Sequence, residues 1–216
     1  MTYQAIQSAC HRQGLDIAGG FHPQAQDNAP TGCKTLLLLA PHEPGFWQRI
    51  TASPEFDAPD PVDRWSDRVI GALAGDLGAT AVFPFGGPPY QPFVSWALRT
   101  GRVWASPVNL MVHDRMGLLL SFRGALAFER DIVLPPAPAA SPCAGCVDKP
   151  CMTACPAGAL RAATYDLDAC HGYLGNAGRE TCLSAGCLAR RSCPVSRSYG
   201  RLAEQSAHHM RAFHKG

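Results

Sequence analysis

Three stretches, PCAGCVDKPCMTACPAGAL (residues 142–160), LDACHGYLGN (167–176) and CLSAGCLARRSCPVS (182–196), hold eight of the ten cysteines in a chain of 216 residues. Thiols at this density, on two arms that each end in Cys-Pro, predict a cage for iron–sulfur clusters. In the two-cluster pattern C-x2-C-x2-C-x3-C-P, three thiolates bind one cluster and the fourth crosses to the other. Here the first arm is C-x2-C-x4-C-x3-C-P, and the second spaces its cysteines by four and five residues. The crossing rule assigns Cys143, Cys146, Cys151 and Cys193 to a first 4Fe–4S cluster. It assigns Cys155, Cys170, Cys182 and Cys187 to a second, with no ligand left over. Proline after Cys155 and Cys193 restricts the backbone at each crossing. Gly145, Gly158, Gly172 and Gly186 permit close backbone approach to sulfide.

The same cysteines admit other readings. Structural zinc favours paired C-x2-C arms, and only Cys143 and Cys146 have that spacing. A single cluster with four spare thiols fits the irregular second arm. A disulfide framework conflicts with a reducing compartment. Cys10 and Cys33, outside the module, read as ordinary buried or partly exposed thiols.

Outward from the cysteines, PPAPAASP (135–142) is too rich in Pro and Ala for a helix or an inner strand and reads as a stiff linker. It divides the chain into an α+β domain over residues 1–136 and a ferredoxin-like domain over 137–216. Hydrophobic residues make up 46% and charged residues 17%, enough apolar content for a core. A net charge of +2 and a pI near 8.1 lack the basic footprint of a nucleic-acid binder. The first fourteen residues, MTYQAIQSACHRQG, lack the basic and apolar regions of a signal peptide. The longest aliphatic run, Leu36 to Ala40, is too short to span a bilayer. The expectation is a cytoplasmic protein without a membrane span, in a compartment where cysteine clusters bind metal.

Tyr3 to Arg12 is amphipathic, with Ile6, Ala9 and Cys10 on one side and Gly14 placed to end the helix. Leu15–Ala18 and Lys34–Ala40 read as strands, and 41–57 as irregular. Asp60 as N-cap and Pro61 at the first helical position precede Val62, Trp65, Val69 and Leu73 at helical spacing, ended by Gly75 or Gly78. Ala79–Phe83 reads as a strand and Gln91–Leu98 as a helix. Between them Gly86-Gly87-Pro88-Pro89 forms a tight loop without the spacing or lysine of a phosphate cradle. Leu118–Phe122 and Ala125–Phe128, flanking Arg123-Gly124, suggest an antiparallel hairpin or two neighbouring strands, with Ile132–Leu134 extending the second. His208, His209 and His214 lie in a basic tail that reads as a solvated helix end or disorder.

Two resemblances bear on these residues. The cysteine module resembles that of epoxyqueuosine reductases, cobalamin enzymes carrying two 4Fe–4S clusters. The motifs are Cys155-Pro156-Ala157-Gly158-Ala159-Leu160, Asp168-Ala169-Cys170-His171-Gly172-Tyr173-Leu174 and Cys193-Pro194, and the likeness implies Cys170 as a ligand of the second cluster. Residues 35–135 look like the cobalamin-processing CblC family. That likeness is carried by Asp60-Pro61-Val62-Asp63, by Val112-His113-Asp114-Arg115-Met116-Gly117, and by Phe122-Arg123-Gly124 leading to Val133-Leu134-Pro135. It implies a flavin-nitroreductase-like antiparallel sheet with helices, and a cobalamin or other corrinoid in a mostly apolar cleft. The candidate contacts are His113, Arg115, Gly117, Arg123 and Gly124. Plainer roles for them are a loop hydrogen bond for His113 and pairing of the arginines with Asp114 or Glu129.

The chain also departs from both families. Phe85 to Gln91 contains no Asp or Glu where epoxyqueuosine reductases carry an acid ahead of the corresponding helix. Asp114 stands where the CblC family has proline, and that family has no cysteine module. The two resemblances together imply an iron–sulfur protein that binds a corrinoid and reduces it or removes its upper axial ligand. Two 4Fe–4S clusters would deliver the electrons, fed by a redox donor such as a flavodoxin or ferredoxin reductase. One alternative is a ferredoxin-type electron carrier whose first domain docks a partner. Another is an epoxyqueuosine-reductase-like tRNA-modifying enzyme, against which the missing acid and weak positive charge count.

Overall fold

The computed structural model describes residues 1–215. Its elements in chain order are α1 (Tyr3–Arg12), β1 (Leu15–Phe21), β2 (Thr35–Pro41), α2 (Phe46–Thr51), α3 (Pro61–Leu77), β3 (Thr80–Val82), α4 (Phe93–Arg99), β4 (Val103–Ala105), β5 (Met111–His113), β6 (Gly124–Phe128), α5 (Leu167–Gly175), α6 (Cys182–Ala185), α7 (Leu188–Ser192), α8 (Pro194–Ser198) and α9 (Ala203–Lys215). Helix combined with antiparallel sheet is the α+β class expected from the sequence. The chain divides into two compact units, one of Met1–Arg102 with Ser121–Pro138, the other of Val103–Leu120 with the chain from Ala139 onward.

The first unit is built on a four-stranded sheet in the order β1-β2-β6-β3, antiparallel throughout. Every residue of β2 is buried, which is why its sequence is a continuous aliphatic run rather than an alternation. Leu37 sits opposite Gly20 of β1 and Leu126 of β6, so the run lies at the centre of the sheet. Helix α1 buries Ile6, Ala9 and Cys10, and α3 buries Val62, Trp65, Val69 and Leu73, the faces that helical spacing singles out. Each large aliphatic side chain so buried contributes about 1.5–3 kcal/mol. Helix α3 begins at Pro61, but Asp60 caps it through its carbonyl, which accepts from the N–H groups of Asp63 and Arg64 at 3.1 Å. Gly78, at φ 61, ends the helix, and Gly75 lies within it.

Two local expectations fail here. Leu118–Phe122 is not a strand and does not pair with Ala125–Phe128. Strand β6 pairs with β2 and β3 instead, and the hairpin in this part of the chain is β4 with β5. Leu118, Leu119, Leu120 and Phe122 are nonetheless buried, and an apolar run reports burial, not hydrogen-bond pairing. Residues 41–57 are not wholly irregular, since α2 forms there and buries Phe46, Trp47 and Ile50. Phe46 meets Trp65 of α3 edge to face, with ring centroids 5.2 Å apart.

The second unit takes in a segment that a cut at 136/137 leaves in the first. Val108 and Val112 of the β4–β5 hairpin region, together with Leu118, form one buried cluster with Cys151, Leu160, Ala189 and Cys193. The cause is compositional. The cysteine-bearing segment folds into helices of four and five residues at α6, α7 and α8, with few aliphatic side chains, and the hairpin supplies the apolar wall they lack. The basic tail is helix α9, which buries Gln205, Ser206 and Ala207. Ser206 lies so close to Gly186 that a Cβ there would collide with it. Among the described residues no helix is long and apolar enough to cross a membrane.

Candidate functional site

The eight module cysteines fall into two groups. Cys143, Cys146, Cys151 and Cys193 line one cavity of about 630 Å³, together with Val112, Leu118, Lys149 and Arg197. Cys155, Cys170, Cys182 and Cys187 line a second, smaller and mainly apolar cavity with Leu160, Tyr165, Leu174 and Met210. These are the two sets of four that the crossing rule assigns. Short elements hold them in place. Cys151 lies in a 3-10 turn begun by Lys149 at φ 40, and Cys193 caps the start of α8 just before Pro194. Cys170 lies in α5, whose first turn is closed by the Asp166 carboxylate accepting from Ala169 N–H at 2.9 Å.

Charge coupling respects the same division. Burial pushes the Cys143 thiol up, the Ser141 hydroxyl opposes this, and the neighbouring Cys193 and Cys146 push it further. Burial likewise raises Cys151, with Cys193 and Cys143 adding to the shift. In the other group burial raises Cys170, the Tyr165 hydroxyl opposes, and Cys155 and Cys182 add. Cys187 is raised by burial and again by Cys182, against backbone donors at Arg190 and Ala189 and the Arg190 charge. Thiols held protonated in this way must release protons on binding a metal, so metal uptake is favoured by higher pH.

The donor chemistry of each group suits a thiolate-bound metal centre, and its geometry bears on which one. Four thiolates around one zinc ion at 2.3 Å would place their Sγ atoms about 3.8 Å apart. Among the described residues the only trio of candidate ligands with all donor atoms within 4.8 Å is His11, Asp16 and His42. The cysteine Sγ atoms of each group are therefore spread around a cavity and do not converge on a point. At Gly145, Gly158 and Gly172 an added Cβ would meet no atom within 4 Å, so protein packing does not demand those glycines, although Gly158 has φ 59.

The residues expected to contact a corrinoid are divided between the two units. His113, Arg115 and Gly117 lie in the second. His113 is 0% exposed, and its Nδ1 accepts from the backbone N–H of Arg115 at 3.0 Å and of Met116 at 3.3 Å, with the Asp114 carboxylate 3.0 Å away. Gly117 has φ 58, and a Cβ there would come within 2.5 Å of Ser196 N and Oγ. It is the point at which the hairpin region meets the start of α8. Arg115 is exposed.

Arg123 and Gly124 lie in the first unit. Arg123 donates from Nη1 to Asp63 Oδ1 at 3.2 Å, and both line a cavity of about 460 Å³ with Phe85, Gln91, Phe93 and Phe122. Burial raises the Asp63 carboxyl above its ordinary value, and Arg123 opposes the rise. Asp63 and Phe122-Arg123, distant in sequence, thus meet at one cleft. Gly124 packs a backbone with no room for a side chain, since a Cβ would lie 2.9 Å from Ile70 and 3.1 Å from the Val82 carbonyl.

Sequence reasoning missed three contributors. The Tyr165 hydroxyl donates to Cys170 Sγ at 3.4 Å, and its own ionisation is pushed up by burial and by that bond. Ser196 Oγ accepts from Leu118 N–H at 2.9 Å, and Arg190 donates to the Leu118 carbonyl at 3.3 Å. Tyr165 and Ser196 stand within five residues of a cysteine, which is the signal that could have found them. No family model, curated protein or solved structure matches the chain.

Proposed function

We propose that the second unit carries two 4Fe–4S clusters, one held by Cys143, Cys146, Cys151 and Cys193 and one by Cys155, Cys170, Cys182 and Cys187. We propose further that the protein uses them to reduce a corrinoid or to release its upper axial ligand. The observation that carries the reading is the sorting of eight cysteines into two cavity-lining sets of four. When bound, such clusters supply single low-potential electrons. The chain's own groups set their surroundings. Lys149 and Arg197 line the first cavity and offset the negative charge of four thiolates. The Tyr165 hydroxyl, hydrogen-bonded to Cys170, draws electron density from that sulfur and favours the reduced state. Val112 and Leu118 keep one wall of the first cavity apolar.

The corrinoid half of the reading rests on the resemblance of residues 35–135, and so does a nitroreductase-like assignment for the first unit. The cleft of Asp63, Arg123, Phe85, Phe93 and Phe122 supports it by joining aromatic walls to a charged pair able to bind amide side chains. The protein would act in the cytoplasm with a flavodoxin-type donor. Two measurements test the proposal. Iron and sulfide analysis with EPR of the dithionite-reduced protein is expected to give about eight iron atoms per chain, two cubanes' worth. About four irons, or zinc in their place, would overturn the two-cluster scheme. The reconstituted protein is then expected to alter the absorbance spectrum of added cob(II)alamin. Eight irons with an unchanged spectrum would leave a ferredoxin-type carrier instead.

A further inference from the structure

The first unit contains a cluster of ligating side chains that plays no part in the proposed electron path. His11 stands in the last turn of α1, Asp16 is the second residue of β1, and His42 directly follows β2. Their separation in sequence is undone by the β1–β2 register. Asp16 lies opposite Ala40, and His42 N–H donates to the Gly14 carbonyl at 2.9 Å, so His42 pairs two positions before Asp16. Side chains two apart share a face of the sheet, which puts Asp16 and His42 on the same side. Gly14, at φ 76, turns the chain from α1 into β1 and returns His11 to that side.

The outcome is a compact three-donor set. One ligand atom from each of His11, Asp16 and His42 lies within 4.8 Å of the other two. His11 Nε2 is 3.2 Å from Asp16 Oδ1, and the two imidazoles stack with centroids 4.1 Å apart. The Asp16 side chain is 8% exposed and the His11 side chain 37%, so the carboxylate is anchored from below while the imidazole edge opens to solvent.

We propose that His11, Asp16 and His42 form a binding site for a divalent transition-metal ion of the zinc class, with water in the open position. Two neutral imidazoles and one carboxylate are the donor set of three-ligand zinc sites that keep a fourth position free. Nitrogen and oxygen donors without thiolate also separate this site from the soft sulfur ligands of the second unit. The ion replaces the direct contact of His11 Nε2 with Asp16 Oδ1 at 3.2 Å. It ties the end of α1 to β1 and to the chain leaving β2.

The test uses the untagged full chain, purified anaerobically, exposed to zinc chloride and desalted. Wild type is expected to retain one zinc per chain whose X-ray absorption shows only nitrogen and oxygen neighbours at about 2.0–2.1 Å. His11→Gln and His42→Gln are each expected to lose that zinc with iron content unchanged. A wild-type protein that retains no zinc, or zinc bound only through sulfur at about 2.3 Å, refutes the site whether or not the variants fold. Zinc that persists in both variants refutes it too. Iron content reports separately on the cysteine clusters, so failure of one assignment leaves the other legible.

Discussion

Gly117→Ala is the most informative single substitution, because two independent features forbid a side chain there. At φ 58 an alanine sits in the left-handed region, which costs about 1–2 kcal/mol. Its Cβ would also lie 2.5 Å from Ser196 N and Oγ, and 3.0 Å from Ser196 Cα. Those are backbone and near-backbone atoms at the start of α8, so the clash is relieved only by moving the chain. Moving it strains the bond from Leu118 N–H to Ser196 Oγ, and a buried donor left unsatisfied costs about 1–3 kcal/mol. The sum is about 2–5 kcal/mol, a large share of the 5–15 kcal/mol that stabilises an ordinary domain. Ser196 is three residues after Cys193, so the damage should reach the first cysteine group before the second. Urea unfolding monitored by circular dichroism gives the stability change, and iron content gives the cluster loss. Ser196→Ala, which removes only the acceptor, should cost about 1–3 kcal/mol. Gly145→Ala, with no atom within 4 Å and no positive φ, should stay within about 0.5 kcal/mol. A Gly117→Ala protein with full iron and a loss below about 1 kcal/mol would refute this account of the contact.

On the proposed two-cluster scheme, Cys193→Ser should remove the signal of one cluster and Cys182→Ser that of the other, each leaving about four irons by chemical analysis and a single EPR species. The Cys10 thiol is pushed up from 9.0 to about 12, by burial first and by the Asp16 charge second. The folded chain then keeps a proton that the unfolded chain has lost above pH 9. Stability is retained below that pH and falls as pH rises towards 12, by up to about 1.4 kcal/mol per pH unit from this group. Denaturation of the metal-free protein between pH 8 and pH 11 should show that fall, to which the raised Cys143, Cys151, Cys170 and Cys187 thiols also contribute, and Cys10→Ala should make it shallower by the share of Cys10 alone.

What could be read from the sequence follows the range over which each signal acts. The helices α1 and α3 are local events of periodicity, caps and glycine stops, and they stand where Ile6, Asp60, Pro61 and Gly78 place them. The aliphatic run within Lys34–Ala40 reads as a buried strand because it is short and bounded by Gly32 and Pro41. Leu118–Phe122 carries the same kind of signal and is coil, since hydrophobicity cannot distinguish a strand in a ladder from a segment pressed against a core. The crossing rule divides the eight cysteines as the linings of the two cavities do, and that each set holds a cluster is the proposal made above. His11, Asp16 and His42 were not legible, because only the register of β1 on β2 brings 16 and 42 to one face. The meeting of Asp63 with Arg123 is likewise a tertiary event across sixty residues.

The placement of Val103–Leu120 in the second unit has a consequence for how the protein can be divided. The chain passes from one unit to the other three times, after Arg102, after Leu120 and after Pro138. Strand β6, which completes the first unit's sheet between β2 and β3, is made only after the excursion has left and returned. During synthesis the first unit can close while 103–120 is still a loop without its partners, and the cysteine unit can close only when α7 and α8 arrive. A fragment beginning at residue 137 would lack Val108, Val112 and Leu118, the wall against which Cys151 and Cys193 pack. The cysteine unit is thus a discontinuous domain, sewn into its neighbour by the chain itself, and neither half can be transplanted by cutting at the proline linker.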